Sequence, residues 1–300
     1  MIQIDHVTRR FGRAVAVDDV SLKVDSGESV ALWGANGAGK TTLIRCVLGL
    51  LRRRGRITIG GHEVRRRGKA ARMLVGYVPQ ELGFYDELRA EEAIRFFARL
   101  KGLRRVEGAE ELARVGLEGH GRKRIRELSG GMKQRLALAV ALLGDPPVLI
   151  LDEVTASLDA VGREEFVGLL EGLSGAGRTL LFASHRVDEV SALADRVVML
   201  DKGRVAEVLA GGAFVARMRG GAVLHVHIPA EHRDRAMRAL RESGFDPRLN
   251  GVGLLVPVAH DQKAGPLQAL AQSGAPFSDF EVLSPGRAAR GKTRNSEATS

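Results

Sequence analysis

Apolar and polar residues alternate along the first 30 positions (IQIDHV, VDDVSLKVDSGESVALW) and again over 56–64, with turn residues between the runs. A period of two bounded by turns predicts antiparallel strands with one face buried. From 87 to 127 the spacing becomes helical, in EEAIRFFARLKGL and VEGAEELARVGL, and no strand-like run interrupts it. A helical subdomain inserted over about 84–130 is expected. VLILDE (148–153) and TLLFASH (179–185) are continuous apolar runs that end in polar residues, each followed by a helical segment. Such runs read as buried parallel strands of an α/β sheet. After Gly220-Gly221 the order is strand (AVLHVHI), helix (EHRDRAMRALRESG), strand around 246–249, strand (VGLLVPV), helix (KAGPLQALAQSG), strand (FSDFEVL). This βαββαβ order predicts a small α+β ferredoxin-like domain over 221–284. Residues 285–300 are polar and basic, with nothing to bury, and predict a disordered tail.

A length of 300 residues with 44% hydrophobic content can fill one large core with a smaller appendage. No 18 apolar residues run together and the first twelve lack a secretory leader's apolar stretch, so any work at a membrane calls for a separate chain that crosses it. The single cysteine, Cys46, lies in the apolar run TTLIRCVLGLL and reads as a small buried hydrophobe in a chain of a reducing cytoplasm. The net charge of +10 raises nucleic acid as a partner. Arginines in short scattered groups, such as Arg52-Arg53-Arg54 and Arg65-Arg66-Arg67, instead look like hairpin turns and solvated faces. With one Trp and two Tyr there is little to stack on bases, and no nucleic acid is expected.

The strand SVALW runs into Gly34, Ala35, Asn36, Gly37, Ala38, Gly39, Lys40, Thr41 and Thr42 and then into an apolar helix. This is G-x-x-x-x-G-K-[ST] in the strand, loop and helix setting that a P-loop requires. Backbone N–H groups and the helix N-terminus would cradle ATP phosphates, Lys40 would reach the β- and γ-phosphates, and the Thr41 hydroxyl would ligate Mg²⁺. Trp33, just before the loop, is expected to pack at the strand end. VLILDE sets two carboxylates at the carboxyl end of a buried strand, where open α/β sheets bind ligands. Asp152 is placed to hold Mg²⁺ and Glu153 to act as general base on the attacking water.

The segment Leu128-Ser129-Gly130-Gly131-Met132-Lys133-Gln134-Arg135, standing before the helix RLALAVALL, resembles the signature of the ABC ATPases. Chemically it is a second anion site, with the Ser129 hydroxyl and the N–H groups of Gly130 and Gly131 at a helix start. The resemblance covers about residues 1–215 and extends to further elements in the same order. Phe11 matches the aromatic that stacks on adenine, and Gln80 in GYVPQE matches the Q-loop glutamine that senses Mg²⁺ and the transport partner. Ser157-Leu158-Asp159 matches the D-loop, and His185 matches the switch histidine at the γ-phosphate. The resemblance implies a P-loop NTPase fold with an antiparallel β subdomain and a helical subdomain. It also implies a head-to-tail dimer, homomeric or heteromeric, with ATP between the Lys40 loop of one subunit and residues 129–131 of the other. Val154 stands where the family usually has Pro, and Ser157 and Ala160 where it usually has Gly and Pro.

GYVPQELGFYDELRAEEAIRFFARLKGL and a small domain after 215 look like the ATPases paired with ABC-2 type export permeases; FARLKG and that tail domain are also similar to the ATPases that mature nitrous-oxide reductase. The chain is thus expected at the inner face of the cell membrane, held there by a permease. The alternative class is a non-transport ABC ATPase on a ribosome or DNA. One P-loop, one cysteine and no heptad run argue against it.

Overall fold

The computed structural model describes residues 1–219, 222–250, 253–258 and 263–283. They form two compact units, Met1–Gly212 and the residues from Ala213 onward, each with its own core.

In the first unit, a four-stranded antiparallel sheet runs in the order Ala14–Val24, Ile2–Phe11, Arg54–Ile59, His62–Glu63. Alternation along these strands buries Ile2, Ile4, Val20, Val24, Ile57 and Ile59 while Gln3, Ser21, Lys23 and Arg56 face solvent. A six-stranded sheet follows, in the order Arg204–Ala210, Arg196–Asp201, Ser29–Trp33, Thr179–Ser184, Val148–Asp152, Val75–Val78. Its strands are parallel except for the antiparallel edge Arg204–Ala210. SVALW, which its alternating context groups with the antiparallel strands, pairs in parallel with Thr179–Ser184 and belongs to this second sheet. Every residue of Val148–Asp152 and Thr179–Ser184 is buried, as a parallel sheet covered on both faces requires.

Helix Lys40–Val47 lies between the two sheets. Its Leu43, Ile44, Cys46 and Val47 are wholly buried in a core shared with Ile2 and Val24 of one sheet and Leu32 and Ile150 of the other. The phosphate loop is therefore fixed at both ends by deeply packed elements. The arginine run 52–54 departs from expectation: Arg54 opens a strand, and Arg53 is half-buried with its Nε lacking a hydrogen-bond partner. Burial holds the Arg53 pKa below the usual arginine value.

The helical insertion contains helices Ala90–Leu100 and Gly108–Ala113 and the 3₁₀ turn Ile125–Glu127, and leads into helix Gly130–Leu142. Lys101, at the end of the first helix, donates from Nζ to the Leu143 carbonyl at 2.9 Å and the Ala141 carbonyl at 3.4 Å. Ala141 is in the last turn of Gly130–Leu142 and Leu143 is its C-cap, so neither carbonyl has a partner within that helix. Burial lowers the Lys101 pKa.

The second unit is an antiparallel sheet in the order Arg248–Leu249, Gly253–Val258, Ala222–His227, Asp279–Leu283. Helices Arg233–Glu242 and Ala264–Ser273 pack on one face, over Leu224, Val226, Leu254 and Val256. This is the split-βαβ arrangement. The tail from 285 lies outside the described residues. Among the described residues, no helix is long and apolar enough to cross a membrane.

Candidate functional site

Two glycines show why the loop between Trp33 and Lys40 has its sequence. Gly39 has φ +104°, a conformation L side chains rarely adopt, and a Cβ there would stand 2.4 Å from the Ala16 carbonyl oxygen. At Gly34 a Cβ would meet the Leu200 carbonyl oxygen at 2.4 Å. The loop is clamped further by Gly203 N–H donating to Ala38 O at 3.0 Å and Asp18 N–H donating to Gly203 O at 2.8 Å. Ala16 and Gly203 are thus part of the cradle, although neither is chemically marked in the sequence.

A cavity of about 280 Å³ opens over the loop, lined by residues 36–42, Ala16, Gln80 and Glu153. Lys40 is 4% exposed, and its Nζ donates to the Gly34 carbonyl at 2.8 Å and the Ala35 carbonyl at 3.3 Å. Its ammonium also lies 3.1 Å from Glu153 Oε1. Loop N–H groups, a helix start and one buried cation make this cavity fit for a polyphosphate.

Asp152 is buried beneath the cavity at the end of its strand and accepts from Thr41 Oγ1 at 2.9 Å through Oδ1. Burial pushes its carboxyl above the usual range; the Thr41 hydrogen bond opposes this and the charge of Glu153 adds to it. Its Oδ2 is buried with no hydrogen-bond partner. An orphaned buried carboxylate oxygen beside a threonine hydroxyl suits a divalent cation. Among the described residues, no group of three or more His, Cys, Asp or Glu could hold a metal. A cation here would take Asp152, Thr41 and Gln80, with phosphate oxygens completing its shell.

Glu153 follows directly, with φ +49°, a left-handed turn that swings its side chain off the strand end. One carboxylate oxygen faces Lys40, and the other lies 3.6 Å from His185 Nδ1. Glu153 and His185 follow the ends of adjacent strands, since Asp152 pairs with Ala183, two residues before His185.

The remaining candidates lie elsewhere. Phe11 is 47% exposed at its strand end and does not line the cavity, and Arg9 lies 4.3 Å from its ring centroid. Ser129 caps helix Gly130–Leu142, accepting from Met132 N–H at 3.3 Å. Residues 129–131 do not line the cavity either. Asp159 caps the next helix by accepting from Gly162 N–H at 2.8 Å, and Ala160, where the family usually has Pro, is that helix's first residue.

Comparison with known proteins agrees with this geometry. The family model described as "ABC transporter" matches residues 17–156. The daunorubicin resistance ATP-binding protein DrrA3 of Streptomyces coeruleorubidus is 34% identical over 95% of this chain and 92% of its own. This chain belongs to the ABC transporter ATP-binding protein family. Another ABC relative, the linearmycin resistance ATP-binding protein LnrL of Bacillus subtilis, is 32% identical over 76% of this chain and 75% of its own. A solved dimeric ATP-binding cassette in a post-hydrolysis state with ADP and Pi superposes with TM-score 0.64 and 25% identity, over 70% of this chain and 98% of that one. The chain is therefore an ATP-binding ABC subunit and an ATPase. The names of these relatives speak of resistance, not of nitrous-oxide reductase maturation.

Sequence reasoning missed Glu189. It is 6% exposed on helix Val187–Leu193, where it reads as an ordinary acidic residue of a helix's first turn. Its Oε2 accepts from Ser184 Oγ at 2.6 Å, and Thr155 Oγ1 donates to its Oε1.

Proposed function

We propose that this ABC ATPase powers a separate ABC-2 type export permease by closing a head-to-tail dimer, homomeric or heteromeric, around Mg-ATP. Export is supported by relatives named for antibiotic resistance and, in Cupriavidus pinatubonensis, for Nod factor export. A location at the inner face of the membrane follows from such a partner, and so does the absence of a nucleic-acid role. A neighbouring gene encoding several membrane spans would support this reading; an isolated gene would weaken it.

The observation that carries the dimer is the placement of the signature. Gly130 has no atom among the described residues within 4 Å of where a Cβ would stand, so no contact there requires a glycine. Its N–H and that of Gly131 begin a 13-residue helix that starts away from the cavity. A site suited to close backbone approach, with nothing approaching it among the described residues, suits a ligand brought by a second subunit.

In this reading Lys40 and the loop N–H groups of one subunit bind and orient the β- and γ-phosphates, while Phe11 stacks on adenine. Ser129 and the two glycines of the other subunit close over the γ-phosphate. Thr41, Asp152 and Gln80 hold Mg²⁺, which neutralises charge on the phosphates when bound. Glu153 accepts the proton of the attacking water, and His185 holds the γ-phosphate. ATP binding draws Lys40 toward the phosphates and releases Glu153 from their mutual ion pair.

Mixing two inactive variants tests this. Ser129→Arg should abolish turnover and leave ATP binding by the monomer largely intact; Lys40→Ala should be inactive within its own subunit. In a mixed dimer one interface carries both lesions and the other neither, so partial activity should return. Mixed dimers that form without any recovery would rule out catalysis across the interface.

A further inference from the structure

Glu189 is a buried carboxylate outside the nucleotide cavity, and its partners come from three separate segments. Thr155, which donates to Oε1, is two residues beyond Glu153; Ser184, which donates to Oε2, immediately precedes His185. The Ser184 hydroxyl also accepts the Arg186 N–H at 3.0 Å, so the backbone on both sides of His185 is tied to the same carboxylate. Two guanidinium Nε atoms face Oε1, that of Arg186 at 3.5 Å and that of Arg163 at 4.0 Å. Both are buried without a hydrogen bond, so their role there is charge compensation. Arg163 donates from its other end to the carbonyl of Leu158 at 2.9 Å, in the 157–159 segment.

Glu189 thus binds the turn after Glu153, the strand end before His185 and, through Arg163, the turn that leads into helix Ala160–Gly175. A buried carboxylate kept in a structure only for stability is a poor choice, because an apolar residue of similar volume often does as well. Its value lies in fixing geometry: each acceptor oxygen holds one of two neighbouring strand ends.

We propose that Glu189 is a positioning residue for hydrolysis, one that locks Glu153, His185 and the 157–159 turn into a single rigid unit so that base and histidine keep their register when the dimer closes. This rests on the reading of Glu153 and His185 as the groups that act on the water and the γ-phosphate. Such a side chain orients the reacting groups without touching the nucleotide.

The test uses the full-length protein with Glu189→Gln, which preserves shape but removes the charge and one acceptor. Turnover should fall roughly ten- to hundredfold, the range seen when residues that orient reacting groups are lost. The affinity for ATP, measured without hydrolysis in the presence of EDTA, should be unchanged. Glu189→Asp should recover part of the loss. Combined with His185→Ala, Glu189→Gln should slow turnover by less than it does alone, because one of the groups it positions is already gone. Thr155→Val and Ser184→Ala remove one hydrogen bond each, and each should lower turnover with affinity unchanged; they carry the test if Glu189→Gln does not fold. Turnover equal to wild type in folded variants, a parallel loss of ATP affinity, or losses that add in the double variant would overturn the proposal. Glu153→Gln is run alongside. If it keeps turnover, the underlying reading fails and this inference with it; if it loses turnover while the Glu189 series does not, only this inference fails.

Discussion

The phosphate loop and the signature segment are both glycine-rich turns that open a helix, yet their surroundings differ in kind. Around the loop, Gly34 and Gly39 are demanded by carbonyl oxygens 2.4 Å from where a Cβ would sit, and Gly203 and Ala16 press on it from outside. Around Gly130 there is open space, and Gly131 would meet only the Leu158 side chain at 3.7 Å. One turn is fixed by contacts in its own fold; at the other, no close contact among the described residues calls for glycine, as the proposed site across a dimer would have it.

The largest effect expected on the loop side is chemical. Glu153→Gln should reduce turnover by roughly 10²–10⁴-fold with ATP affinity spared, in paired turnover and calorimetric measurements. Wild-type turnover in that variant would remove the general base from the picture.

A pair of alanine substitutions tests the comparison itself. Gly39→Ala forces a side chain into a left-handed, crowded position and should cost at least about 1–3 kcal/mol of stability by denaturant titration. Gly130→Ala should stay within about 0.5 kcal/mol of wild type yet slow hydrolysis. If Gly130→Ala destabilises as Gly39→Ala does, the distinction between the two turns collapses.

A smaller effect concerns Asp152. Burial raises its folded-state pKa, so between the unfolded value of about 3.9 and that raised value the folded chain binds more protons than the unfolded one. Without nucleotide or Mg²⁺, this residue's contribution should become less favourable as pH rises through the window, and the penalty should be complete above it. Asp152→Asn should flatten that part of a melting-temperature profile against pH and should also lose Mg-dependent turnover. A profile unchanged by the substitution would count against a buried, uncompensated carboxylate. The smallest expected signal is optical: Trp33, at the strand end feeding the loop, should change fluorescence when Mg-ATP orders the loop. Lys40→Ala should lose this response at concentrations that saturate wild type.

Much of this was legible because the informative residues are neighbours in sequence. The P-loop needs a strand, a turn and a helix in succession, and SVALW, residues 34–39 and the helix Lys40–Val47 supply them in one unbroken stretch, 29–47. The same locality made the βαββαβ order of the second unit readable. What escaped notice depends on contacts between distant segments. Glu189 lies 34 residues from Thr155, and no period or spacing connects them. Ala16 and Gly203 brace the loop through backbone atoms, which any residue type carries. SVALW joined the parallel sheet because strand partners are chosen by tertiary packing, and Arg53 is half-buried because its neighbours in space cover it.

The hydrogen bonds from Lys101 to the carbonyls of Ala141 and Leu143 have a mechanical meaning. They fasten the end of helix Ala90–Leu100 to the far end of the helix that begins with Gly130. The two rods share a pivot made of a cation and the carbonyl end of a helix, which attract each other. A displacement of the first rod therefore either strains both bonds or is shared by the second, whose opposite end is capped by Ser129.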